Sequence, residues 1–376
     1  MMKKRLLAAL MAGAMALSLT ACGGGSDANT TTDSGAQAEG ATDAGTTAKI
    51  GVSMPTQSLQ RWNQDGTNMK QQLETAGYQV DLQYAGDNDI PTQVSQIENM
   101  ISGDCDALVI AAIDGSALTE ALKGAKEKNI PVISYDRLIM NSDAVSYYAT
   151  FDNYKVGTMQ GEYIRDALDL DNAAGPFNIE LVTGAPDDNN VNFFFGGAMD
   201  ILQPYIDSGK LVVPSGQTEK AQCATANWST EEAQKRFENI ITSVGYGPDA
   251  KKLDAVLCSN DSTSYGVQNA LLAAGYNKDN MPVITGQDCD KPNVKNIIAG
   301  VQSMSIFKDT RTLADATVKM VDAIIKGTAP EVNDTETYDN GTGVIPSYLC
   351  DPVFADKDNY KSILIDSGYY TEADLA

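Results

Sequence analysis

Four apolar runs in this 376-residue chain end in a carboxylate or an amide: ALVIAAI before Asp114, PVISY before Asp136 and Arg137, DAVLCSN before Asp261, and PVITG before Gln287 and Asp288. Carboxylates accept hydrogen bonds, a guanidinium donates in a planar fork, and an amide does both. Together they suit a small ligand rich in hydroxyls. Gln60, Arg61 and Trp62 follow the first apolar run, KIGVSM, and add an amide, a second guanidinium and an indole face for C–H groups. Asn189 and Asn190 follow GAPDD, and Trp228 precedes a helical stretch.

Each candidate also has an ordinary role. Asp114, Asn189 and Asn190 stand where a helix cap is wanted. Asp136 and Arg137 would make an internal ion pair, Arg61 a solvated helix start, Trp62 and Phe194 core aromatics, and Trp228 a packed surface ring. Arg61, Asp136, Arg137, Asp261 and Gln287 are the strongest binding candidates, because strand-end positions converge. In open α/β sheets a ligand sits beyond the carboxyl ends of the strands.

The elements that must position these residues follow from periodicity. Short runs of Val, Ile, Leu and Ala read as parallel strands buried on both faces, each followed by a helical stretch. KIGVSM, QVDLQYA, ALVIAAI, PVISY and VSYYATF form one such series, with helices after the first three. The series restarts with FNIELVTG, LVVPSG, DAVLCSN, PVITG and VQSMSIF, interleaved with helices. Repeating βαβ units imply doubly wound sheets with right-handed crossovers. About 330 residues exceed what one core comfortably fills, so two lobes are expected. VIPSYL is a short strand in a tail that otherwise wraps the surface.

Residues 1–21 read as an export signal: Lys3, Lys4 and Arg5, an apolar stretch to Leu17, then LTA before Cys22. Residues 23–48 lack large apolar side chains and read as a flexible tether. No later run approaches the ~20 apolar residues of a membrane span. The signal holds +3 of a formal charge of −23, which leaves −26 on the mature chain. That charge argues against nucleic acid and anionic lipid as partners.

Histidine is absent, which removes the commonest general base and metal ligand. Cys22, Cys105, Cys223, Cys258, Cys289 and Cys350 show no C-x-x-C spacing. No disulfide framework is expected, with Cys223–Cys350 left open. Asp169, Asp171 and Glu180 fall at calcium-loop positions, but Ala173 and Ala174 stand where an oxygen ligand and a glycine are needed. Neither metal nor cofactor is expected.

SLQRWNQDG, SYDRLI, YYATFDNYKVG, GAPDDNN, QPYIDSGKLVV, SNDSTSYG, TGQD and IFKDTRTLA recur in order. The colinear set resembles the type I periplasmic sugar-binding proteins of ABC transporters, above all the multiple-sugar receptors and more distantly the xylose-binding proteins. LTAC resembles the lipobox in which the cysteine, here Cys22, is acylated. The resemblance implies an α/β, two-lobed type I fold, each lobe a doubly wound, mostly parallel sheet flanked by helices. It implies crossings near 150–152, 285–288 and 306–309, and hence lobes of 49–150 plus 288–306 and of 151–287 plus 307–376. Lys308 falls at the third crossing, where it serves the hinge or the ligand.

The implied function is a lipid-anchored, monomeric, extracytoplasmic receptor that closes on one aldose (glucose, galactose, xylose or arabinose) and delivers it to an ABC permease. A sensory role with a chemoreceptor or sensor kinase is also implied. Paired Asp residues would suit glycoside hydrolysis, but Arg, Asn and Gln around them favour ionised carboxylates and leave no general acid, so no enzyme is expected.

Overall fold

The computed structural model describes residues 47–86 and 89–376. The export signal, Cys22 and the tether lie outside the described residues, except Thr47 and Ala48. Among the described residues no helix is long and apolar enough to cross a membrane.

The first half alternates β1 (Lys49–Met54), α1 (Gln60–Thr75), β2 (Gln79–Tyr84), α2 (Ile90–Ser102), β3 (Ala107–Ile110), α3 (Thr119–Glu127), β4 (Val132–Tyr135) and β5 (Val145–Phe151). The second contains α4 (Asn153–Ala167), β6 (Phe177–Val182), α5 (Asn190–Asp207), β7 (Leu211–Val212), α6 (Lys220–Cys223), α7 (Thr230–Val244), β8 (Ala255–Cys258), α8 (Asp261–Ala273), β9 (Val283–Ile284), α9 (Lys291–Ala299) and β10 (Met304–Phe307). The chain ends with α10 (Thr310–Ile325), β11 (Ser347–Cys350), β12 (Val353–Asp356) and α11 (Glu372–Leu375).

Strands β3, β4, β8 and β10 are buried at every residue, as strands covered by helices on both faces must be. Helix α3 buries Ala121, Leu122 and Ala125, the stripe that its 3.6-residue period sets. Side-chain caps fix several helix starts next to the cleft. Asp152 accepts from Lys155 N at 2.9 Å, Asn260 from Thr263 N at 3.0 Å, and Asp309 from Arg311 N at 2.9 Å.

One sheet is parallel throughout, in the order β11-β5-β4-β3-β1-β2; the other runs β7-β6-β8-β9, also parallel. The second sheet does not stop at β9. Ile306 N donates to Gly286 O and Asp288 N to Ile306 O, so β10 continues it, and β12 pairs antiparallel on β10.

This pairing corrects the expected division of the lobes. Residues 291–307 belong to the second sheet rather than the first. Helix α10 buries Leu313, Ala314, Met320 and Val321 in the core around Ile50, Val52 and Met69, and β11 pairs β5. Both therefore belong to the first half. Only β12 and the C-terminus return to the second, where Leu364 and Tyr370 pack with Cys289 and Phe307. The chain crosses between halves near Asp152, between Phe307 and Thr310, and between Cys350 and Val353; it does not cross at 285–288. Strand β11 overlaps the short strand expected at VIPSYL and takes an edge of the first sheet.

Cys105, Cys223, Cys258, Cys289 and Cys350 are all free and buried, including the pair left open. The carboxylate of Glu180 accepts from Ser215 and from the Tyr246 hydroxyl (2.8 Å), remote from any loop chelation.

Candidate functional site

The carboxyl ends of both sheets face a narrow, polar cavity. Arg61, Trp62, Asp136 and Arg137 line it from the first half. Asp188, Asn190, Phe194, Trp228, Asn260, Gln287, Asp288 and Asp290 line it from the second, with Lys308 on the crossing segment after β10.

Arg61, at the start of α1, is buried among three carboxylates. Its Nε donates to Asp65 Oδ2 at 2.7 Å, Nη2 to Asp136 Oδ2 at 2.5 Å and Nη1 to Asp288 Oδ1 at 3.1 Å. A planar fork with donors on three edges makes this possible where a lysine could not. Lys308 Nζ, also buried, lies 3.1 Å from Asp288 Oδ1 and 3.9 Å from Asp136 Oδ2. Burial pushes against the charge of Asp136, but Arg61 and Lys308 outweigh it and hold the carboxyl down at about 2. Asp65 has burial as its largest influence and Arg61 as an opposing one; its carboxyl is raised to about 6.

Arg137 reaches across the cleft. Its Nε lies 3.0 Å from Asp188 Oδ2, and Nη1 donates to the carbonyls of Ala112 and Ile113. Its guanidinium carbon sits 4.9 Å from the Trp62 ring centroid, and that of Arg61 at 5.4 Å, so the indole is clamped between cations and core. Asn190 Nδ2 donates to Asp136 O at 2.8 Å, a third cross-cleft bond, and the Tyr148 hydroxyl shares its one proton between Asp136 O at 2.6 Å and Asn190 Oδ1 at 3.0 Å.

Trp228 forms the aromatic wall of the second half. Its Nε1 donates to Asp188 Oδ2 at 3.2 Å, and its ring meets Phe194 edge-on at 6.2 Å. The ring lies against the backbone of Gly184, where a Cβ would fall 2.0 Å from a ring carbon. Asp136 (φ 59°), Trp228 (φ 56°) and Asp288 (φ 96°) all occupy left-handed backbone, a cost that surrounding structure sustains at ligand sites.

Of the expected residues, Arg61, Trp62, Asp136, Arg137, Asn190, Trp228 and Gln287 meet at this cavity. Four do not, and their expected placement is corrected. Gln60 turns to the C-terminus, donating to the Tyr370 hydroxyl at 2.7 Å and accepting from Lys291 N. Asp114 closes a turn on Ser116 N at 2.8 Å. Asn189 accepts from Asn192 Nδ2 at 3.0 Å. Asp261 is wholly buried behind the cavity wall, where Gln302, Ser305 and the Asp290 amide hydrogen-bond its carboxylate.

Asp188, Asn260, Asp288 and Asp290 were not among the candidates. Asp188, Asn260 and Asp288 each adjoin a residue that was, and Asp290 lies three residues past Gln287, so composition marked the segment but not which neighbour turns inward. Burial raises the Asp261 carboxyl well above the usual carboxylate range, against the expectation that the candidate carboxylates stay ionised, and burial with the Asp288 charge beside it pushes Asp290 up to about 7. The arrangement offers carboxylate acceptors, cationic donors and two indole walls to a small polyhydroxylated molecule.

The chain matches the periplasmic binding protein domain over residues 50–329. It is 52% identical over 326 residues to the multiple sugar-binding periplasmic protein SbpA of Azospirillum brasilense, covering 86% of this chain and 90% of that protein. The multiple sugar-binding periplasmic receptor ChvE of Rhizobium radiobacter is 52% identical over 323 residues, covering 85% and 90%. A crystal structure of an ABC transporter solute binding protein from Clostridium phytofermentans with bound β-D-glucose aligns with a TM-score of 0.84 at 65% identity, covering 87% of this chain and all of that one. These relatives are binding proteins and receptors, not enzymes. The chain belongs to the type I periplasmic sugar-binding proteins.

Proposed function

We propose that this protein is an extracytoplasmic receptor that closes around one aldose and hands it to an ABC permease. The observation that carries the reading is the cavity itself. Carboxylates and cations from both halves converge there between Trp62 and Trp228. Hydroxyls that bridge groups on both sides draw the halves together, which shifts the population toward the closed form. D-Glucose is the first ligand to test, because the solved relative at 65% identity holds β-D-glucose. The LTAC sequence supports a lipid on Cys22 that anchors the receptor at the membrane.

Calorimetry of residues 23–376 with D-glucose, D-galactose, D-xylose and L-arabinose tests the reading. At least one should bind at micromolar strength or better, about −8 kcal/mol. A protein that takes up none of the four rules this function out.

A further inference from the structure

The turn between β9 and α9 carries two side-chain oxygens that the rest of the protein leaves without a partner. Gln287 and Asp290 both line the cavity, and Gln287 Oε1 and Asp290 Oδ1 are shielded from solvent yet accept no hydrogen bond. A buried acceptor without a donor is destabilising and calls for an account. None of the cations around them donates to either oxygen: Arg61 bonds Asp65, Asp136 and Asp288, Lys308 lies against Asp288, and Arg137 lies beside Asp188 with its own Nε left without a hydrogen bond.

The turn is built to present these atoms. Asp288 and Cys289 are consecutive non-glycine residues at φ 96° and 51°. Gln287 Nε2 donates to Ser259 O at 2.8 Å, which leaves its oxygen on the other side of the amide. Asp261 holds both ends of the turn. Its Oδ2 accepts from Asp290 N at 2.8 Å, and Gly286 passes so close that a Cβ there would lie 2.1 Å from Oδ1. Ser305 donates to the same carboxylate at 2.9 Å and accepts from Cys289 N at 3.1 Å.

We propose that Gln287 and Asp290 form a paired-acceptor subsite that reads two hydroxyls of the bound sugar, with Asp290 the specificity-determining residue and Asp261 its positioning residue. The inference rests on the monosaccharide reading above and names which face of that site discriminates.

The test is calorimetry of the parent, Asp290→Ala and Asp290→Asn with D-glucose and its 1-, 2-, 3-, 4- and 6-deoxy analogues. Asp290→Ala should bind glucose about 10- to 100-fold more weakly. One deoxy analogue, already weakened in the parent, should lose nothing further, because the hydroxyl that Asp290 reads is gone. Asp290→Asn should show a smaller loss that again spares the same analogue, which keeps the test valid should the alanine variant misfold. Asp261→Asn should weaken glucose binding in the parent but have no added effect on Asp290→Ala. Parental affinity in both Asp290 variants, or an equal loss across every analogue, overturns the subsite while leaving the receptor reading intact. A parent that binds no aldose removes both.

Discussion

Replacing Arg61 by alanine will abolish measurable glucose binding and lower the unfolding free energy by about 3–5 kcal/mol. The side chain neutralises Asp65, Asp136 and Asp288 at once, at 2.7, 2.5 and 3.1 Å. Its removal leaves three buried carboxylates with only Lys308 close to two of them. Burying a charge without a partner costs more than the pair had contributed. The wall also loosens, because Arg61 and Arg137 both pack on Trp62. Arg61→Lys will not rescue binding, since one ammonium cannot reach three carboxylates spread around a planar fork. Urea denaturation and calorimetry read the two effects separately. An alanine variant that binds within tenfold of the parent contradicts this account of the site.

The second large effect comes from a single methyl group. Gly184→Ala places a Cβ 2.0–2.3 Å from three carbons of the Trp228 ring. No backbone strain accompanies the change, so the clash with the indole is the whole effect. The ring must swing away from its packing on Phe194 and its bond to Asp188. Overpacking of this kind costs about 1–3 kcal/mol of stability. The affinity loss should be larger than tenfold, because the displaced ring enters the space the sugar needs. Tryptophan fluorescence should shift in the ligand-free variant. An unchanged spectrum together with parental affinity would show that Trp228 is not the second wall.

The strands were legible wherever sequence leaves no alternative. ALVI, VISY and AVLC are apolar at nearly every position, and only a strand covered on both faces buries them all. The strand-end residues Asp136 and Arg137 were legible for the same reason. What failed was the choice between neighbours. The run ending in Asn260 and Asp261 was read as placing Asp261 in the cleft. Helix α8 begins there, Asn260 caps it, and one residue of register turns Asp261 into the wall. Asp288 turns inward through a left-handed backbone that no composition reveals. The lobe division failed because β11 and β12 are separated by Asp351 and Pro352 alone yet belong to different sheets. Sequence periodicity describes a strand, not its partner.

The Arg137–Asp188 and Arg61–Asp288 pairs join opposite sides of the cleft, with nitrogen–oxygen distances of 3.0 and 3.1 Å. Swinging the halves apart must deliver four formerly shielded ions to water. Dissolved electrolyte stabilises exposed ions and barely reaches enclosed ones. Potassium chloride should therefore shorten the residence time of a neutral aldose that carries no charge of its own. Stopped-flow release at rising ionic strength would reveal faster departure, and a flat profile would mean that those ions never part.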